Sequence, residues 1–278
     1  MHEKFCEMLL SSRRIPLMKS RLHALMKKYG IHPKKYMSQN FLISESVIEK
    51  MASFAEGTVL EIGAGLGFIT EKLALRADHV YAYEKDKKLA EILRKECGFP
   101  NVEVLCEDFL ESRVPRFDTV VSNIPYRYSS GITFKLLTHE FRHAVLSYQK
   151  EFAERLCETM GSRLAVMAEV QSQREYIQTV PRRCFYPTPE TDSALVKIVP
   201  QRKFETDAFF ENVVRALFSH RNQTVRNALI KSRDFFGKGK EEMKEAAIKS
   251  DRAEKKVYSL DIFEVKQIAE GLRDALGD

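Results

Sequence analysis

Residues 58–70 read TVLEIGAGLGFIT, an aliphatic run that passes directly into three alternate glycines and then into an apolar helix start. A strand ending on Gly63, Gly65 and Gly67 leaves its turn without side chains, so a ligand can approach the backbone between the first strand and the first helix of an α/β unit. Downstream, short apolar runs at HVYAY (79–83), VEVL (102–105), DTVVS (118–122), AVLSY (144–148) and RLAVMAEV (163–170) read as strands. Helical stretches at 68–76, 86–96, 130–139 and 150–159 lie between them. Alternation of this kind predicts a parallel, doubly wound α/β sheet. REYIQTV (174–180) and SALVKIV (193–199) follow one another without a helix and predict an antiparallel hairpin at the sheet edge.

Beyond Pro200 no strand pattern remains. Thr206 and Asp207 are N-cap candidates for a helix carrying Phe210, Val213, Val214, Leu217 and Phe218, followed by helices over 222–232, 240–249 and 261–276. Upstream, Met18, Leu22, Leu25, Met26 and Tyr29 fall at helical spacing, with Gly30 at the C-cap position. The expected organisation is a basic N-terminal extension (1–35), a ligand-binding α/β domain (36–202) and a small all-helical C-terminal domain (203–278).

The chain has 278 residues, 44% of them apolar and 30% charged, with a mean hydropathy of −0.33, which excludes both a peptide-sized fold and wholesale disorder. No run is long and apolar enough to span a membrane and no signal-peptide pattern opens the chain, so a cytoplasmic protein is expected. Five cysteines without ligand spacing suggest neither disulfides nor a metal site. The net charge of +6 is uneven: residues 1–40 carry nine basic against two acidic side chains. A second basic run holds Arg215, Arg221, Arg226, Lys231, Arg233, Lys238 and Lys240 against Asp234. Basic ends around a near-neutral middle fit a polyanionic partner. With no exposed apolar seam evident in the sequence, a monomer is expected.

Glu84 ends the second strand, where a carboxylate can accept both ribose hydroxyls of an adenosine-containing cofactor, and Asp108 follows the third strand, beside the expected adenine. Glu61, within ExGxGxG spacing, would repel a pyrophosphate but tolerates a sulfonium or an ammonium, which favours S-adenosylmethionine over a dinucleotide. The fourth strand ends in Asn123-Ile124-Pro125-Tyr126. An exocyclic amine on an aromatic base is a poor nucleophile because its lone pair is delocalised. The Asn123 side-chain carbonyl and the Ile124 backbone carbonyl can accept its two N–H bonds, Pro125 stiffens the turn, and Tyr126 can stack on the base. Phe185, ahead of Pro187 and Pro189, is a candidate for the opposite side of a base sandwich.

SQNFL (38–42), EIGAGLGFIT (61–70), Glu84, EDF (107–109), NIPY (123–126) and FYPTPETDSAL (185–195) together resemble the KsgA-type small-subunit rRNA adenine N6,N6-dimethyltransferases, in register from about residue 36 to 230 and closest to archaeal versions. The resemblance implies a Rossmann-like class I S-adenosylmethionine-dependent methyltransferase domain with a helical C-terminal domain that grips RNA. It implies dimethylation of two adjacent adenosines near the 3′ end of small-subunit rRNA during ribosome biogenesis, with S-adenosylhomocysteine as product, no metal, and the small ribosomal subunit as partner. Asn40, Leu42, Gly63, Gly65, Glu84, Asp108 and Asn123 would line the cofactor, and Asn123, Tyr126 and Phe185 would hold the base. Large-subunit rRNA dimethylases and B-type mitochondrial transcription factors are similar. An assembly or transcription factor that keeps the site but works by occupancy is the competing class. A methyltransferase acting on DNA adenine or a glutamine amide would more usually carry two prolines in the tetrapeptide. Ser38 stands where the family usually has Gly, Thr191 where it often has Val, and Arg221-Asn222-Gln223 where it carries a denser basic cluster.

Overall fold

The structure, a computed structural model, describes residues 17–33, 39–158 and 160–277. Ser38 and most of the expected N-terminal extension, residues 1–16 and 34–35, lie outside the described residues. The chain divides into two compact units, Met1–Ala153 with Glu175–Pro200, and Glu154–Arg174 with Gln201–Asp278.

In the first unit, residues 17–29 form helix α1, which buries Met18, Leu22 and Leu25 as its spacing predicts. The chain then forms β1 (Phe41–Leu42), α2 (Glu45–Ala52), β2 (Thr58–Ile62), α3 (Phe68–Ala74), β3 (His79–Tyr83), α4 (Lys87–Glu96), β4 (Val102–Leu105), β5 (Thr119–Asn123), α5 (Ser129–Leu136) and β6 (His143–Gln149). Helix α6 (Lys150–Cys157) and helix α7 (Arg163–Gln171) precede β7 (Ser172–Val180), β8 (Phe185–Tyr186) and β9 (Ser193–Pro200). The main sheet has the order β4-β3-β2-β5-β6-β9-β7. β4, β3, β2, β5 and β6 run parallel, and β9 lies antiparallel against β6 with Ser147 opposite Leu195. The expected doubly wound sheet is therefore present, with β9 and β7 adjacent at its edge.

Central strands are buried on both faces, which is why β5 and β6 read as continuous apolar runs rather than alternating ones. The crossover helices show the opposite pattern: α4 buries Leu89, Ala90, Ile92 and Leu93, and its N-cap, Asp86, accepts from the backbone N–H of Lys88 at 2.9 Å. The sheet order reverses at β2, with β3 on one side and β5 on the other. At such a switch point the strand ends part and leave a crevice. A two-stranded ribbon that no sequence pattern announced, β1 with β8, pairs Phe41 with Tyr186 and Leu42 with Phe185.

The second unit is helical: α7 is joined by α8 (Ala208–Phe218), α9 (Val225–Lys231), α10 (Lys240–Ile248) and α11 (Ile262–Leu276). Asp207 caps α8 through the Phe210 N–H at 2.9 Å, as its position predicts, and Asp261 with Glu264 forms a capping box on α11.

RLAVMAEV is a correction: it forms helix α7, not a strand. Ser162 caps it by accepting from the Ala165 N–H at 3.1 Å, and Ala165, Val166, Met167, Ala168 and Val170 are all buried. A helix buried on every side shows no 3.6-residue period, so its apolar run mimics a buried strand. The observed division at Pro200/Gln201 falls beside the expected boundary near 202, but Glu154–Arg174, expected in the α/β domain, packs with the helical unit. The segment is joined to the chain after β9 by backbone bonds, the Gln201 N–H donating to the Gln171 carbonyl at 3.0 Å and the Lys203 N–H to the Val170 carbonyl at 2.8 Å. Within it Arg174, whose side chain is 3% exposed, donates to the carbonyls of Leu156, Ser172 and Glu158 and pairs with Glu169 at 2.5 Å. Arg174→Ala removes the donor that reaches the buried Leu156 and Ser172 carbonyls and one partner of Glu169, and urea unfolding should show a loss of about 3 kcal/mol.

Candidate active site

The crevice lies beyond the carboxyl ends of β2, β3, β4 and β5. Its glycine turn is held without a ligand. The N–H groups of Gly63 and Ala64 donate to the Tyr83 carbonyl at 2.7 and 2.9 Å, and that of Gly65 donates to Glu84 Oε2 at 2.8 Å. Gly63 has φ +79°, a conformation that favours glycine, and a Cβ there would make ordinary contact with the Pro125 ring at 3.4 Å. Gly67, at φ +85°, leaves no room for a side chain because Leu93 would stand 2.4 Å from its Cβ.

Glu84 is buried, and its other oxygen accepts from the Asp86 N–H at 2.8 Å. Asp108 accepts from the Leu110 N–H at 3.0 Å and from Lys85 Nζ at 2.5 Å. Burial pushes this carboxyl up, but Lys85 and the Leu110 N–H outweigh it and hold the group below its usual value. The Lys85 ammonium also sits 5.7 Å from the centre of the Tyr128 ring. Lys85 and Tyr128 both line the crevice and were missed from sequence; the only available signal for Lys85 was its place next to Glu84.

Glu61, on β2, lines the crevice and is 1% exposed. Burial pushes its carboxyl up to about 8, the Thr70 hydroxyl at 2.6 Å pulls the other way, and the charge of Glu84 adds to the rise.

Asn123 ends β5 with its side chain clamped. Nδ2 donates to the Asn40 carbonyl at 2.9 Å, while Oδ1 is buried with no hydrogen-bond partner among the described residues. The contact with a carbonyl oxygen fixes which end of the amide carries the protons, so the unsatisfied end is an acceptor. A buried unmatched acceptor costs about 1–3 kcal/mol, and at this crevice it is satisfied by any donor that enters. Tyr126 opens the short helical turn after Pro125, and its hydroxyl shares a hydrogen bond with Ser193 Oγ at 2.5 Å. Burial raises the phenol's pKa and Ser193 opposes the rise, so the group is a neutral platform.

Among the candidates named from sequence, Asn40, Leu42, Gly63, Gly65, Glu84 and Asp108 line one crevice, together with Asn123, Ile124, Pro125 and Tyr126. Phe185 does not. It is 1% exposed and packs in the core opposite Leu42, whose strand supplies the crevice wall. The expectation that Phe185 faces Tyr126 as a free stacking surface is corrected: Phe185 pairs with Leu42 in the β1–β8 ribbon and its ring is buried in the core cluster. Thr191 Oγ1 is buried without a partner among the described residues, in keeping with a position where an apolar side chain suffices.

The residues fit an adenosine-bearing cation: a side-chain-free turn, two carboxylates at successive strand ends and an acidic side chain beneath them. No group of His, Cys, Asp and Glu that could hold a metal ion occurs among the described residues, and no helix there is long and apolar enough to cross a membrane.

A profile of the Ribosomal RNA adenine dimethylase family matches residues 31–269. A protein of Thermococcus gammatolerans named "Probable ribosomal RNA small subunit methyltransferase A" is 42% identical over 92% of this chain and 95% of its own length. One of the same name from Pyrococcus furiosus is 42% identical, covering 92% and 98%. Among solved structures, a dimethyladenosine transferase from Plasmodium falciparum superposes with a TM-score of 0.71 at 29% identity, over 84% of this chain and 97% of that one. The 23S rRNA methyltransferase ErmE gives 0.63 at 28%, over 84% and 99%.

Two outcomes follow from the burial in this site. The Glu61 carboxyl keeps its proton up to about 8 when folded but only to about 4.5 otherwise, so the folded state binds more protons between these values and loses stability as pH rises through them. Unfolding curves from pH 5 to 8 should show this loss, on the order of 4 kcal/mol at most, and Glu61→Gln should flatten it. Phe185→Ala should lower unfolding free energy by about 3 kcal/mol in denaturant titration, the cost of a core cavity.

Proposed function

This chain belongs to the Ribosomal RNA adenine dimethylase family and is an S-adenosylmethionine-dependent rRNA methyltransferase, and from that premise we propose that it dimethylates N6 of two adjacent adenosines near the 3′ end of small-subunit rRNA during ribosome biogenesis. The observation that carries the proposal is the buried Oδ1 of Asn123, which has no partner among the described residues and is oriented into the crevice lining by the bond that Nδ2 donates to the Asn40 carbonyl.

When bound, S-adenosylmethionine supplies an electrophilic methyl group on a sulfonium. The residues around it have separable tasks. Glu84 receives the ribose hydroxyls, Asp108 the adenine amine, and the Gly63 and Gly65 turn admits the methionine portion, with Asn40, Leu42 and Asn123 completing the wall. Asn123 Oδ1 and the Ile124 carbonyl accept the two N–H bonds of the target adenine, drawing its nitrogen out of conjugation toward a tetrahedral shape. Pro125 keeps these acceptors aimed, which lowers the reorganisation needed during transfer. Tyr126 stacks on the base with its hydroxyl anchored to Ser193. No strong base is required, since the nitrogen becomes acidic once it has been methylated and then releases its proton.

On this reading the protein acts as a monomer in the cytoplasm, uses no metal ion, releases S-adenosylhomocysteine, and recognises the small ribosomal subunit through its rRNA. The organisation into a basic extension, a methyltransferase domain and an RNA-gripping helical domain belongs to the same proposal, with Glu154–Arg174 counted in the helical part.

The test is transfer of labelled methyl from S-adenosylmethionine to unmethylated small subunits, with nucleoside mass spectrometry and large subunits as control. Dimethyladenosine restricted to small-subunit RNA is the expected result, whereas binding without transfer would favour an occupancy-based assembly factor. Asn123→Ala should reduce kcat at least about 100-fold while cofactor affinity changes only a few-fold. Turnover near the wild-type level would remove Asn123 from its assigned role.

A further inference from the structure

Lys135 lies in the last turn of α5, where a cation ordinarily serves only the helix dipole. Its ammonium instead reaches a different segment. Nζ donates to the carbonyls of Phe109 at 2.5 Å, Leu110 at 3.0 Å and Ser112 at 2.7 Å. Three protons meet three converging acceptors, which uses the whole donor capacity of a lysine. The Lys135 cation also lies 5.0 Å from the centre of the Phe109 ring, and Phe109 is itself buried edge-on against Tyr83 at the end of β3.

The segment so held is the turn that presents Asp108. The Asp108 carbonyl accepts from the N–H groups of Glu111 and Ser112 at 3.0 Å each and from the Ser112 hydroxyl at 2.7 Å, and its carboxylate accepts from the Leu110 N–H. The turn is therefore closed on itself at Asp108, and its outward carbonyls are gathered by one ammonium. Gly131, one turn earlier on the same face of α5, meets the Leu110 side chain: a Cβ there would lie 3.6 Å from it. Helix α5 follows the Asn123–Tyr126 motif after the short helical turn over Tyr126–Tyr128, so the segment that leaves the target-base acceptors ends at the adenine-side turn.

We propose that Lys135 is a positioning residue for cofactor recognition, holding the 108–112 turn so that Asp108 reads the 6-amino group of the cofactor's adenine. This rests on the assignment of Asp108 to that amine. A lysine is suited to the task because its three protons diverge from one centre, whereas the guanidinium of arginine is a planar fork that cannot address three carbonyls converging on one point. Methionine in its place keeps the aliphatic stem and leaves three carbonyls facing an apolar group.

Calorimetric binding of S-adenosylhomocysteine and of its inosine counterpart, which carries oxygen in place of the 6-amine, provides a readout separate from activity. Wild-type protein should prefer the adenine ligand, and Asp108→Ala should lose that preference. Lys135→Met should weaken S-adenosylhomocysteine binding about tenfold, bring the preference near unity, and raise KM for S-adenosylmethionine while kcat at saturation falls less than threefold. Lys135→Arg should recover part of the affinity and little of the preference, and it carries the same readout if a thermal melt shows Lys135→Met unfolded. Preference retained in both Lys135 variants but lost in Asp108→Ala would overturn the role of Lys135 alone. Equal binding of the two ligands by wild-type protein would overturn the assignment of Asp108, and the role of Lys135 with it. A fall in kcat matching the loss of affinity would also overturn the proposal, because it would mark a general loosening of the fold.

Discussion

Three consecutive amide protons, those of Gly63, Ala64 and Gly65, end on the Tyr83 carbonyl and the Glu84 carboxylate, and the geometry of the crevice depends on this attachment. It joins the turn after β2 to the end of β3 through backbone groups that would otherwise face an empty cavity, where unmatched donors are costly. Because the turn is already closed, an incoming cofactor meets a formed surface and orders little chain on arrival. Pro125 packing beside Gly63 carries that rigidity to the third neighbouring strand end, so the cofactor side and the target side share one set of contacts.

Electrostatics divide the crevice into two characters. At the Asp108 end a carboxylate is kept ionised by Lys85, despite the burial that opposes it. At the Glu61 end burial dominates, and the proton is retained into the neutral range. A polar heterocycle that donates hydrogen bonds meets an ionised carboxylate at the Asp108 end, whereas a ligand group at the Glu61 end meets a carboxyl that is neutral at pH 7.

Sequence made the site legible where one residue type had one mechanical use. Glycines at positive φ, Asp207 as a helix cap, acids at strand ends and the Asn-Ile-Pro-Tyr turn could all be placed because each local pattern has few structural solutions. Legibility failed where burial erased periodicity. Helix α7 passed for a strand since it is apolar on every side, and the ribbon of β1 with β8 is too short to show an alternation. Phe185 was misjudged for a related reason: an aromatic beside a rigid proline loop looks the same in sequence whether it faces a ligand or the core, and only its burial in the folded chain decides. Lys135 was invisible as more than a helix-end cation because its acceptors are backbone carbonyls 23 to 26 positions away.

The contact between Asn123 Nδ2 and the Asn40 carbonyl carries a consequence for residue identity. An aspartate at position 123 would turn an oxygen lone pair toward that carbonyl in place of a proton, and two acceptors would repel across a buried 2.9 Å gap. The peptide leading into β1 thus selects an amide over an acid on β5, although the two side chains are equal in size and both could accept from an adenine. The choice of a neutral motif in this crevice is settled by a backbone oxygen more than eighty positions upstream.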